Sequence, residues 1–182
     1  QQNDEHVTRN SFKDYEPQWT VMPRVAVSFP ISTTAMFFAN YDVLAQRPTS
    51  GNLASINTYY YLDQRSTNTI GNPNLKPEKT ISYEVGFQQK VASNMAIKVQ
   101  AFYRELRNMI QVVPVRYAYP IDYTTYGNID FGTTKGLILS YDLVPYGANK
   151  NFTLNANYTL MYARATGSGS GSQAALVQAG LP

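Results

Sequence analysis

The chain has 182 residues, of which 13% are aromatic, including 15 tyrosines, and only 15% are charged, with a net charge of +3. Globular chains carry roughly a quarter charged residues, and the few cations here are scattered, so the clustered basic stripe of a nucleic-acid surface is missing. The absence of cysteine removes any disulfide framework or thiolate metal site. No apolar run approaches the roughly 18 residues a spanning helix needs, whereas a spanning strand needs only about 9–11, half of them polar.

Period-two alternation dominates, and helical periodicity is nearly absent. Residues 1–18 are polar and irregular. A strand is predicted from Trp19 to Phe29, edged by Pro23, then a turn over residues 30–34 and a returning strand Ala35–Tyr41. Residues 42–79 read as a long, polar, tyrosine-bearing loop. Strand Thr80–Gln89 follows, with Ile81, Tyr83, Val85 and Phe87 on one side and Ser82, Glu84 and Gln88 on the other. A short turn over residues 90–94 leads to Met95–Arg104, where Met95, Ile97, Val99, Ala101 and Tyr103 oppose Lys98, Gln100 and Arg104. Residues 105–133 read as a second long external stretch with room for strand extensions beyond a membrane surface. Lys135–Leu143 sets Leu137, Leu139, Tyr141 and Leu143 against Ser140 and Asp142. After a turn over residues 145–151, Phe152–Ala163 sets Phe152, Leu154, Ala156, Tyr158, Leu160 and Tyr162 against Thr153, Asn155, Asn157 and Thr159.

Those apolar sets contain no charged residue. A soluble sandwich also alternates, but short turns taking turns with long loops is the asymmetry of an outer-membrane barrel, tight on the periplasmic side and long outside. Aromatics near strand ends, Tyr103, Phe152 and Tyr162, suit the interfacial girdles of such a barrel.

The run Gly71-Asn72-Pro73-Asn74-Leu75-Lys76-Pro77-Glu78, followed by Ser82-Tyr83-Glu84-Val85-Gly86-Phe87, resembles a hallmark of TonB-dependent outer-membrane receptors. Its prolines fix φ and push Asn72 and Lys76 towards extended geometry, which makes a stiff lead into the strand. Trp19–Ile31, Phe38–Tyr41 and Gln46–Pro48 resemble barrel strands and their exits. Asn128–Gly136 and Tyr158–Ser168 resemble the Oar-like subgroup, whose members carry a carboxypeptidase-regulatory-like extension. The resemblance implies an all-β fold: antiparallel strands forming part of a transmembrane β-barrel, about six of 22 strands. It also implies a plug, a TonB-contacting segment and a closing strand that ends in an aromatic residue, none of which these residues supply. Ile138 takes an inward position where the family often has a carboxylate.

The implied function is active uptake of a large or scarce ligand across the outer membrane of a Gram-negative bacterium. The implied partners are outer-membrane lipid, the TonB complex acting through the plug, the transported ligand, and a surface lipoprotein or other outer-membrane protein. No cofactor, metal or enzymatic activity is implied. The rival is a soluble or surface-attached β-rich adhesion module. Glu84, Lys98, Arg104 and Asp142 face the expected lumen, where they can contact a ligand or, as often, a plug and water. Tyr59, Tyr60, Tyr61, Tyr117, Tyr119, Tyr123 and Tyr126 lie in the two long loops and offer amphipathic contact area, or else pack those loops together. His6, the one histidine, has no second ligand at metal spacing.

Overall fold

Pro23 sets where the sheet begins. The computed structural model describes residues 17–49, 53, 69–117, 122–145 and 152–167. Strand β1 is Arg24–Pro30 rather than Trp19 onward, and Trp19 is 92% exposed. Proline has no N–H for a ladder, but its carbonyl still accepts from Val43 N at 3.0 Å. The remaining strands are β2 (Ala35–Gln46), β3 (Thr69–Ile70), β4 (Glu78–Ala92), β5 (Met95–Val115), β6 (Tyr123–Leu143) and β7 (Leu154–Ala165). They form one sheet in the order β1-β2-β4-β5-β6, with β3 and β7 both pairing β6. Every pairing is antiparallel except the short parallel contact of Thr69 and Ile70 with Thr124 and Thr125.

The stretch expected to be mostly loop over residues 105–133 is mostly strand. Strands β5 and β6 have 21 residues each, about 70 Å at ~3.3 Å per residue. A bilayer core is only ~30 Å thick, so these strands continue well beyond any span. The extension is kinked by register shifts around Met109, where Asn108 takes φ 59°, a left-handed conformation that asparagine tolerates. A bulge of this kind bends a strand and re-aims its side chains.

The register shows how completely the two faces differ. Across β2, β4, β5, β6 and β7, one row reads Ala39, Val85, Ala101, Leu137, Leu160 and the next Phe37, Phe87, Val99, Leu139, Tyr158. Above them, Tyr41, Tyr83 and Tyr103 lie side by side with ring centroids 5.2 and 6.2 Å apart. The rows on the other face hold Asn40, Glu84, Gln100, Ser140 and Asn157. No second layer covers the apolar face among the described residues, and Val85, Leu137 and Leu160 are each more than 40% exposed.

Candidate functional site

The polar face gathers most of its charges on β1, β2, β4 and β5, with Asp142 on β6. Arg24 Nε donates to Asp42 Oδ1 at 2.9 Å across the first hairpin. Glu84 accepts from Arg104 Nη2 and from Gln100 Nε2, both at 3.1 Å. Each partner sits on an adjacent strand on the same face, because antiparallel register puts directly opposed residues on one side. Arg24, Asn40, Asp42, Ser82, Glu84 and Arg104 line a groove of about 560 Å³. Both arginines stay half-exposed or more while paired, so unused guanidinium donors face the groove.

Aromatic rings on glycines hold this surface in shape. Phe38 lies over Gly86, where an added Cβ would come within 2.2 Å of the ring, and Phe102 lies over Gly136. Lys98 Nζ then sits 4.7 Å from the Phe38 centroid and Arg104 Cζ 5.2 Å from that of Phe102. The stack of glycine, ring and cation fixes where each charge stands, and a cation over a ring face is itself favourable.

Residues 71–78 do more than lead into β4. The chain leaves β3 beyond β6 and arrives at β4 beyond β5, so it crosses both strands. Asn128 reaches this crossing twice: its Oδ1 accepts from Lys76 N at 2.7 Å, and its Nδ2 donates to Lys76 O at 2.9 Å and to Asn108 O at 2.7 Å. Asn72 Nδ2 donates to Tyr126 O at 2.8 Å, while Asn72 Oδ1 accepts from Asn74 N at 2.9 Å. Asn108 Nδ2 donates to Pro77 O at 3.4 Å, and Glu78 Oε1 accepts from Ile110 N at 2.8 Å, filling the place of a ladder partner where β4 begins. Leu75, in the middle, is 3% exposed. The register shifts between Leu106 and Ile110 interrupt the alternation beside Asn128, so the crossing is placed by these bonds themselves. It is a strap rather than a ramp.

The family model for a TonB dependent receptor-like β-barrel matches residues 1–179. The chain belongs to that family. Its barrels are those of outer-membrane transporters rather than enzymes. Among solved structures, the chain resembles the hemophore receptor HasR of Serratia marcescens, in a complex with HasA and heme, at 20% identity over 78% of this chain and 22% of that one, with a TM-score of 0.54. It resembles the outer-membrane transporter YddB of Escherichia coli at 20% identity over 77% of this chain and 19% of that one, TM-score 0.53. For FpvAI in complex with pyocin S2 the values are 16%, 79%, 17% and 0.57. At such identities the likeness is one of fold, and the chain spans only 17–22% of the length of these three. No curated protein matches the sequence.

The residues expected to face a lumen divide by position. Glu84 and Arg104 meet directly, and Lys98 lies two rows further along the same face. Asp142, opposite Ala96 at the turn end, is three rows from Glu84, about 20 Å at the strand repeat. Ile138 does face the polar side, opposite Gln100 and Thr159. Tyr117 is 87% exposed at φ 59°, Tyr123 opens β6 opposite Val115, and Tyr126 lies opposite Val112. Tyr59, Tyr60, Tyr61, Tyr119 and His6 fall outside the described residues. Sequence reasoning missed Asn108 and Asn128, which pin the strap, Arg24 and Asp42 in the groove, and Phe38 and Phe102, which lie over the glycines. It also missed Asp130, 2% exposed, whose Oδ1 accepts from Thr166 Oγ1 at 3.0 Å. Parity with Glu84 would have found Phe102, but Asn128 becomes visible only when the strap is seen to cross.

Proposed function

We propose that these residues form a sector of the wall and external loops of a TonB-dependent receptor that actively imports a large or scarce ligand across the outer membrane. In this reading the apolar face meets lipid and the polar face lines the lumen. The strands pass through the bilayer, short turns lie in the periplasm and the long connections lie outside. The observation that carries it is the register: six strands sort into an apolar and a polar face with no layer over the apolar one. A soluble adhesion module would have to bury that face.

Within the lumen, Glu84, Lys98 and Arg104 are the residues assigned to contact with ligand or plug, and Asp142 to the periplasmic mouth. Tyr59, Tyr60, Tyr61, Tyr117, Tyr119 and Tyr123 are assigned to capture outside. The strap 71–78 sets the shape of the external mouth. TonB acts through the plug of the whole receptor, not through this wall.

The test compares cells with and without the full-length receptor for depletion of iron, copper and haem chelates, oligosaccharides and peptides from the medium. At least one should vanish only when the receptor is present, and deleting TonB should abolish that loss while leaving surface binding intact. Depletion that persists without TonB would refute active uptake.

A further inference from the structure

Tyr41, Tyr83 and Tyr103 occupy one row across β2, β4 and β5, each directly opposed to the next. Opposed residues of an antiparallel pair stand about 4.5–5.5 Å apart at Cα. The ring centroids lie 5.2 Å apart for Tyr41 and Tyr83 and 6.2 Å apart for Tyr83 and Tyr103, and the closer pair is tilted by 47° rather than stacked. Tyr83 is 44% exposed, and none of the three hydroxyls has a hydrogen-bond partner among the described residues. Other tyrosines of the same face lack this neighbour. The row continues through Lys135 to Tyr162, Tyr158 stands beside Leu139, and Tyr141 stands between Ile97 and Ala156. Among the described residues, register opposes phenol to phenol only in this triplet.

Packing alone does not need the hydroxyls. Two rows away Phe37 is opposed to Phe87, and paired rings are favourable with or without a phenol. What the phenol adds is an O–H bond that a radical can break. We propose that Tyr41 and Tyr83 form a site of oxidative cross-linking, at which a one-electron oxidant of the peroxyl-radical class joins β2 to β4 covalently. Each phenol gives its hydroxyl hydrogen atom to one peroxyl radical, which becomes a hydroperoxide and leaves a tyrosyl radical. The two tyrosyl radicals then couple through one Cε atom of each ring, forming a single C–C bond. The hydrogens displaced from those carbons return to the two oxygens as protons, restoring both phenols. Two peroxyl radicals and two tyrosines thus give two hydroperoxides and one dityrosine, lighter by two hydrogen atoms. Rotation about χ2 is soft for tyrosine, so the tilted rings can bring those carbons together without moving the strands. Tyr103 competes for Tyr83 from the longer distance.

The bond closes the long connection between β2 and β4 into a covalent ring. These 182 residues contain no cysteine, so a disulfide cannot serve there. A dityrosine would act in the same way, chiefly by restricting the unfolded chain. The inference goes beyond uptake and is independent of which ligand the receptor takes.

The experiment uses the full-length receptor in vesicles of dioleoylphosphatidylcholine, with peroxyl radicals supplied by a thermally decomposing azo initiator in air. Linked peptides are identified by fragmentation mass spectrometry. The wild type should give a Tyr41–Tyr83 link about tenfold or more in excess of that from the same protein oxidised in urea, because the fold holds the reacting rings together. Tyr103→Phe should leave the link in place. After heating, the oxidised wild type should run ahead of the unoxidised chain on a gel. Tyr83→Phe, which keeps the ring and loses the phenol, should remove that shift. Hydroxylation of Tyr83 without a bond to Tyr41, or preferential coupling of Tyr83 to Tyr103, overturns the proposal. So does a link no more abundant in the folded than in the unfolded protein. Should Tyr83→Phe not assemble, as judged by heat-modifiable gel migration, the comparison of folded with unfolded wild type decides.

Discussion

At the scale of single residues, two glycines and one alternation make the sharpest tests. A Cβ at Gly86 would meet only the Phe38 ring, whose far end can swing aside, whereas a Cβ at Gly136 would come 2.4 Å from the backbone oxygen of Leu160. Gly86→Ala should therefore destabilise the assembled receptor by about 1–3 kcal/mol, and Phe38→Leu in the same chain should recover most of it. Gly136→Ala should cost more and should not be recovered by Phe102→Leu, because the obstacle is backbone. Urea unfolding of the four variants measures both, and equal rescue at the two sites would contradict the packing described. The faces are tested one residue apart. Val85→Arg places a charge on the lipid side and should cost roughly 2–4 kcal/mol with a matching drop in assembled receptor. Glu84→Gln keeps the bond from Gln100, loses one half-exposed ion pair to Arg104 and should assemble within about 1 kcal/mol of wild type. Similar assembly of the two would reverse the face assignment.

At the scale of elements, the strap turns a sequence motif into a mechanical part. Asn128 spends one side chain on both the N–H and the C=O of Lys76 and on Asn108 O. Asn128→Ala should leave the Lys76 amide and two carbonyls without their partner, at about 1–3 kcal/mol for the region. Hydrogen exchange at Lys76 should then rise at least tenfold, while amides in the Val85–Val99 ladder stay protected; an unchanged Lys76 would mean that the strap is held by something else. Much of this architecture was legible beforehand. The alternation in Thr80–Gln89 and Met95–Arg104 gave both faces correctly, because a period of two survives in any sheet, and the proline-bearing motif pointed to the family. Strand ends were less legible. Residues 105–115 and 123–133 are polar enough to read as loop, yet they pair along most of their length, on both sides of the register shifts around Met109. Trp19–Met22 looks like strand but pairs with no strand among the described residues. The parallel contact of Thr69 and Ile70 with β6 was invisible, since two residues carry no period. The groove pairs depend on register between strands up to 20 residues apart, which alternation alone does not set.

At the scale of the whole molecule, topology and assembly follow from the same sheet. A tag inserted near Asn57 or Tyr119 of the full-length receptor should label on intact cells, and one at Ser93, in the tight β4–β5 turn, only after permeabilisation. Labelling at Ser93 on intact cells would invert the orientation. The sector by itself is a different object. Among the described residues, β1 pairs only with β2 and β7 only with β6, so each leaves one row of backbone groups open, a template for further pairing. In lipid, every unpaired group costs several kcal/mol. In water, the Val85, Leu137 and Leu160 surface would lie bare, a liability of its own. Neither solvent satisfies both the edges and the face, so a polypeptide of residues 1–182 expressed alone should aggregate unless detergent covers the face and further strands complete the edges. Size-exclusion chromatography with light scattering in detergent-free buffer is the measurement. A monodisperse species of 20.4 kDa that melts cooperatively would show that something in the chain covers the apolar face, and would restore the soluble adhesion module as the better account.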